Sequence, residues 1–441
     1  MRPFIVVQGP VATRSGYGNH TRDLVTALIN ADKYDIQVIS LPWGSCPTNA
    51  LLPDNTEHQA ILQRIARGNI NKQPDVFIQV SVPNEFQPHG KYNIGITAGI
   101  ETTQVSHEFI EGCNRMDMNI VTSEHSKSGF VNTVYDKIND KTKQKEGELR
   151  LTKPIEVLFE GLDLSVYKKT DNIHDTVLDE LKNIEEDFCY LFTGHWLKGD
   201  IGQDRKDIAM MIKTFCEAFK NKQGKNRPAL ILKTSHATFS IIDRDNVTKK
   251  IQQIVSMYGN KAPNIYLIHG DLTDNEMNSL YNHPKIKSMI SFTKGEGFGR
   301  PLLEFGITGK PIIASDWSGH KDFLKHATLL PGELTPVHGS AADKFILKNT
   351  KWFTVNYGYA AGVLQDCMAN YKKFIETSRK QPHHVKTNFS LEQMSKKFCT
   401  IVDTGLNGIP EQVSLKLPKL KKVEPANPIK LKLPKLKKVE V

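Results

Sequence analysis

Residues 291–324, SFTKGEGFGRPLLEFGITGKPIIASDWSGHKDFL, constrain the fold more than any other part of the chain. The apolar run leading into them, residues 286–292, reads as a buried strand. A glycine-rich bend follows, Gly295-Glu296-Gly297-Phe298-Gly299. Arg300-Pro301 then opens a short helix predicted over 302–308, which Gly309 ends before a strand at 311–314. Strand, Gly-rich turn, helix, strand is half of a nucleotide-type α/β unit. Its loops fall at the carboxyl ends of the strands, where open sheets bind ligands.

Two carboxylates frame this unit with seven residues between them, Glu296 in the bend and Glu304 early in the helix. Both are expected to face one crevice, one holding sugar hydroxyls and the other a ribose. The backbone amides of Gly297 to Arg300 would meet a diphosphate. This pattern resembles the retaining glycosyltransferases of the GT-B superfamily, specifically the glycosyltransferase family 4 group, whose glutamate, seven residues, glutamate motif is matched by Glu296 and Glu304. EGFGRPLLEFGITGKPIIASD is similar to that family nearly residue by residue. The bland alternative is a Rossmann-like loop with two solvated glutamates.

The resemblance implies an α/β chain of two Rossmann-like domains facing a central cleft, with an acceptor domain at 1–168 and a donor domain at 169–389. A final helix at about 390–405 would pack back on the first domain and let the two close over the donor. At 441 residues and 39% hydrophobic content the chain is long enough for two cores. No apolar run approaches the roughly 18 residues of a membrane span. The amino terminus enters a strand at once and lacks a secretory cleavage pattern. Six scattered cysteines have no metal-ligand or redox spacing. A cytoplasmic protein is the expectation.

In the first half, the loop GPVATRSGYGNH joins a strand at 4–8 to a helix predicted from 21 to 30. Gly16 and Gly18 bracket Tyr17 there, and the resemblance makes them donor-side loop residues. Gly99-Ile100-Glu101-Thr102 and Val121-Thr122-Ser123-Glu124-His125 match runs of a family 4 subgroup, with His125 replacing an aromatic residue. Glu101 reads equally as a residue of the acceptor cleft or, with His107, as an ordinary surface cap at a loop-helix boundary. His107 lies too late to match the histidine the family places near the sugar. Residues 137–150 are charged and aperiodic and read as an exposed excursion. Glu160-Gly161-Leu162-Asp163 resembles the segment closing the first domain, with Glu160 where asparagine is commoner.

In the second half, a polar loop at 194–206 ends in Arg205-Lys206 before a helix predicted over 207–219. Cations there oppose the helix dipole and suit an anionic ligand, and the family uses an arginine and a lysine for the diphosphate leaving group. Lys198 is the fallback. Lys233 ends a strand on the cleft side, and 268–272 would pass the nucleotide base. A polar elaboration is predicted at 235–248, and helices at 251–258, 359–376 and 391–404. Trp317 and His320 stand where the family has a small turn, and shape the sugar pocket or pack the surface. The resemblance thus implies Glu296, Arg205, Lys206 and Glu101 as catalytic, and Gly16, Gly18, Lys233, Gly297, Phe298, Gly299, Arg300, Leu303 and Glu304 as donor-binding. It implies no cofactor and no metal; the nucleotide-sugar is the donor substrate.

The acceptor is open: a saccharide, lipid or protein glycan, or alternatively a modified base in DNA, or none in a catalytically inactive scaffold. LKLPKLKKVE occurs at 415–424 and again at 431–440. From residue 413 on, nine lysines and two glutamates carry +7 of the chain's +10, leaving +3 for the first 412 residues. A near-neutral body disfavours nucleic acid as a partner. The tail reads equally as a solvated appendage or as a peptide docking a protein partner, another subunit or an anionic polymer.

Overall fold

The computed structural model describes residues 2–409, apart from 225–226 and 237. The repeated basic tail at 413–441, and the docking role proposed for it, lie outside the described residues. Two parallel six-stranded sheets dominate. The first runs β2-β1-β3-β4-β5-β8, from β1 (Phe4–Gly9), β2 (Asp35–Ser40), β3 (Val76–Val80), β4 (Tyr92–Thr97), β5 (Met118–Val121) and β8 (Ile155–Val157). The second runs β11-β10-β9-β12-β13-β14, from β9 (Cys189–Thr193), β10 (Ala229–Lys233), β11 (Ile265–Ile268), β12 (Ile286–Ser291), β13 (Ile312–Ser315) and β14 (Thr328–Leu330).

Helices cover both faces of each sheet, so the strands read as continuous apolar runs rather than alternating ones. In the second sheet, Tyr190, Phe192, Leu230, Leu232 and Ile290 pack on one side against the helix Ile208–Phe219. Cys189, Leu191, Ile231 and Met289 pack on the other, with Leu302, Leu303 and Phe305. In the first sheet, Ile5, Val7, Ile78 and Ile94 share a core with Leu24 and Leu28 of the helix Gly16–Asn30. That core also takes Met394, Phe398 and Val402 of the last helix, Leu391–Asn407. The chain therefore crosses from the first sheet to the second and returns. At the crossing, the Leu162 N–H donates to Phe389 O (2.8 Å) and the Leu391 N–H donates to Leu162 O (2.8 Å). Among the described residues, no helix is long and apolar enough to cross a membrane.

Several elements differ from expectation, each for a local reason. The first helix begins at Gly16, not residue 21, because the Ser15 hydroxyl caps it by accepting from the Gly18 N–H. Gly16 and Gly18 are thus in a first helical turn, not in a loop. Residues 137–150 are exposed but ordered as an antiparallel hairpin, β6 (Tyr135–Ile138) with β7 (Lys145–Leu149). Half of the elaboration at 235–248 is helical, since Ser240 caps a helix over Ile241–Val255. The helix predicted over 359–376 breaks at Asn370 into Tyr357–Ala369 and Tyr371–Ser378. A second hairpin, β15 (Gly332–Pro336) with β16 (Lys351–Val355), flanks the second sheet.

Candidate active site

In each sheet the strand order reverses once. In the second sheet this happens between the neighbours β9 and β12. Loops leaving two such strands diverge and open a crevice. The loop after β9 carries Arg205 and Lys206, and the loop after β12 carries Glu296. A buried strut joins them: the Lys294 N–H donates to Arg205 O (2.7 Å), and the Lys294 ammonium lies 3.3 Å from Asp207. Asp207 starts the helix Ile208–Phe219 with φ at +53°, a conformation aspartate tolerates better than most residues, and accepts from the Tyr357 hydroxyl (2.6 Å). Burial pushes its carboxyl up to about 7 against the pull of Lys294.

The strut delivers three charges to one point. Lys206 Nζ pairs with Glu296 Oε1, and the Arg205 guanidinium reaches Glu296 Oε2 at 3.3 Å. Arg205 also donates to Gly295 O (2.8 Å) and stands 3.7 Å from the Glu101 carboxylate, which arrives from the loop after β4. Burial alone would raise the Glu296 carboxyl, but Lys206 and Arg205 outweigh it and hold the group at about 2. Glu296 is therefore an anion at neutral pH, embedded between two cations.

The glycines of the bend are explained by how closely the first domain approaches. A Cβ on Gly295 would lie 2.0 Å from Glu101 O, and one on Gly297 would lie 2.1 Å from Ala98 O. Phe298 turns inward onto Phe323, with ring centroids 5.0 Å apart. Gly299 takes φ +96° to start the helix Arg300–Gly306. Leu303 is fully buried in the core, so a ligand meets it only through its backbone.

A second charge cluster surrounds Arg300. Its guanidinium donates to Glu304 Oε1 (3.1 Å) and, across the cleft, to Asp23 Oδ2 (2.7 Å), and lies 3.9 Å from Glu160. The Tyr281 hydroxyl donates to Glu304 Oε2 (3.0 Å). Burial pushes both the Glu304 and the Glu160 carboxyls up to about 7, against Arg300. His20, about one turn before Asp23 on the same helix, is buried with neither ring nitrogen bonded, and burial, then Arg300, lowers it to about 3.

The remaining predicted residues lie apart from Glu296's cations. Lys233 Nζ donates to Gly270 O (2.8 Å) and sits over the Phe239 ring. Gly16 and Gly18 flank Tyr17, whose hydroxyl bonds Thr97 and accepts from the Ala98 N–H (3.1 Å), next to the bend. His107 is exposed, 3.8 Å from Glu111, and does not reach the cleft. Lys198 binds Ala342 O at the surface (2.9 Å). Trp317 packs across the domain boundary on His125, with ring centroids 4.5 Å apart. Sequence reasoning missed Asp23, Lys294, Asp207 and Tyr281. Lys294 lies inside the stretch 291–324 and the others in no motif, and each acts through a neighbour remote in sequence.

No protein-family model matches the chain, and no curated protein matches it. Solved structures do. HepE of Anabaena, in complex with UDP-glucose, superposes with a TM-score of 0.57 at 12% identity, covering 91% of this chain and 100% of that one. Sucrose-phosphate synthase from Thermosynechococcus elongatus gives 0.61 at 13%, covering 91% and 99%. A glycosyltransferase from Rickettsia africae gives 0.58 at 12%, covering 92% and 99%. These likenesses define the fold: two Rossmann-like domains across a cleft, the GT-B architecture.

Proposed function

We propose that the protein is a retaining glycosyltransferase of the family 4 type, moving a sugar from a nucleotide-sugar to an acceptor hydroxyl of a saccharide, lipid or protein glycan. The observation that carries this reading is the convergence of Arg205, Lys206 and Glu296 at the strand-order reversal, faced by Glu101. Two buried cations beside one buried carboxylate suit a diphosphate joined to a polyol. The diphosphate takes over Arg205 and Lys206, and Glu296, relieved of part of its pairing, accepts from sugar hydroxyls. Glu304, oriented by Tyr281 and Arg300, is assigned to the ribose. HepE, crystallised with UDP-glucose, shares the fold in which this pocket sits.

In the reaction, the acceptor oxygen bonds to the anomeric carbon on the face from which the glycosyl–phosphate C–O bond breaks. The electron pair of that bond leaves on the diphosphate, which takes the acceptor's proton. Arg205 and Lys206 stabilise the charge that develops there, and the closed cleft keeps water from competing.

The test is binding and hydrolysis across UDP-, GDP- and ADP-sugars, for the intact protein and for Glu296→Ala and Arg205→Ala. One preferred donor, lost in both variants, is the expected result. Absence of any donor interaction would overturn the reading in favour of a non-catalytic scaffold.

A further inference from the structure

The peptide of Glu296 is gripped from both sides by the turn after β13. Its N–H donates to Ser318 Oγ (2.9 Å), and its carbonyl accepts from the Gly319 N–H (3.0 Å). Ser318 adopts φ +79° and ψ −165°, a region essentially reserved for glycine. It is buried, at 5% exposure. Gly319 has no room for a side chain, because a Cβ there would sit 2.1 Å from Gly297 O. Of these two positions, only 318 can bring a side-chain oxygen to the Glu296 amide, and the chain tolerates an unfavourable backbone to do it. The turn is fixed in place by His320 Nε2 on Ser315 O (2.7 Å) and by the Lys321 N–H on Ser318 O (3.1 Å).

We infer that Ser318 is a positioning residue that sets where the Glu296 carboxylate meets the donor sugar. This rests on the proposed function for its ligand, but not for its geometry. Glycine would relax the backbone and remove the acceptor, leaving a buried N–H unpaired. Alanine would remove the acceptor and keep the strain.

Three measurements on the full chain test this. Ser318→Gly should bind the preferred nucleotide-sugar about tenfold more weakly, while binding of the free nucleoside diphosphate, which Arg205 and Lys206 govern, stays unchanged. Ser318→Ala should show the same selective loss with a lower Tm than Ser318→Gly. Hydrogen exchange at the Glu296 amide should accelerate in both variants, a readout that needs no donor. Equal losses for sugar-bearing and sugar-free nucleotides would reduce Ser318 to a structural role. Unaltered exchange at Glu296 would overturn the inference whether or not any donor binds, and failure of the intact protein to bind any donor would instead remove the function it serves.

Discussion

Glu296 is held between two cations, and its removal has a calculable sign. Glu296→Gln leaves Lys206 without its partner and Arg205 with only Glu101, so a loss of about 3 kcal/mol is expected in urea denaturation. Because the folded carboxyl is depressed from 4.5 to about 2, this stabilisation is full above pH 4.5 and disappears as pH falls towards 2. The gap between wild type and variant should close over that window. Glu160 has the opposite sign. Its carboxyl is raised from 4.5 to about 7, so the folded state binds the extra proton, and stability falls as pH rises between those values. Glu160→Gln should therefore leave Tm unchanged at pH 4.5 and raise it at pH 8; a lower Tm at pH 8 would show that the Arg300 pairing outweighs burial. The sequence announces Glu296, Arg205 and Lys206 because each lies in a loop after a strand, and Glu304 because it follows that bend in the short helix Arg300–Gly306. Asp23 and Ser318 are silent in it, since their roles depend on side chains that arrive from other elements.

At the scale of elements, the glycines separate into those that the packing requires and those that it does not. Gly297→Ala drives a Cβ against a backbone oxygen of the first domain and should cost about 2 kcal/mol, with weakened donor binding, in paired calorimetric measurements. Gly16→Ala meets nothing within 4 Å in a first helical turn and should be neutral or stabilising by about 0.5 kcal/mol. If Gly16 serves the donor's phosphates, the same variant keeps its stability and loses donor affinity. Regular strands and their loops were legible because both faces of each sheet are covered, which writes unbroken apolar runs such as Ala229-Leu230-Ile231-Leu232 into the chain. The β6–β7 hairpin was not, because its residues are mostly exposed and carry no apolar alternation. The break at Asn370 was equally hidden, as the residues on either side keep helical composition.

At the scale of the whole molecule, charge is unevenly allotted, with +7 of the +10 beyond residue 412. Removing residues 413–441 should abolish retention on a heparin column at low salt while leaving Tm and donor affinity unchanged; persistent retention would place the anion-binding surface on the body. The chain passes between the domains twice, and the two passages lie side by side, bonded through Leu162 to Phe389 and Leu391, with Gly161 so close to Leu391 that a Cβ would come within 2.6 Å of its Cα. Both covalent tethers thus sit side by side, and what else clasps the two halves together is non-covalent, the Arg300–Asp23 pair included.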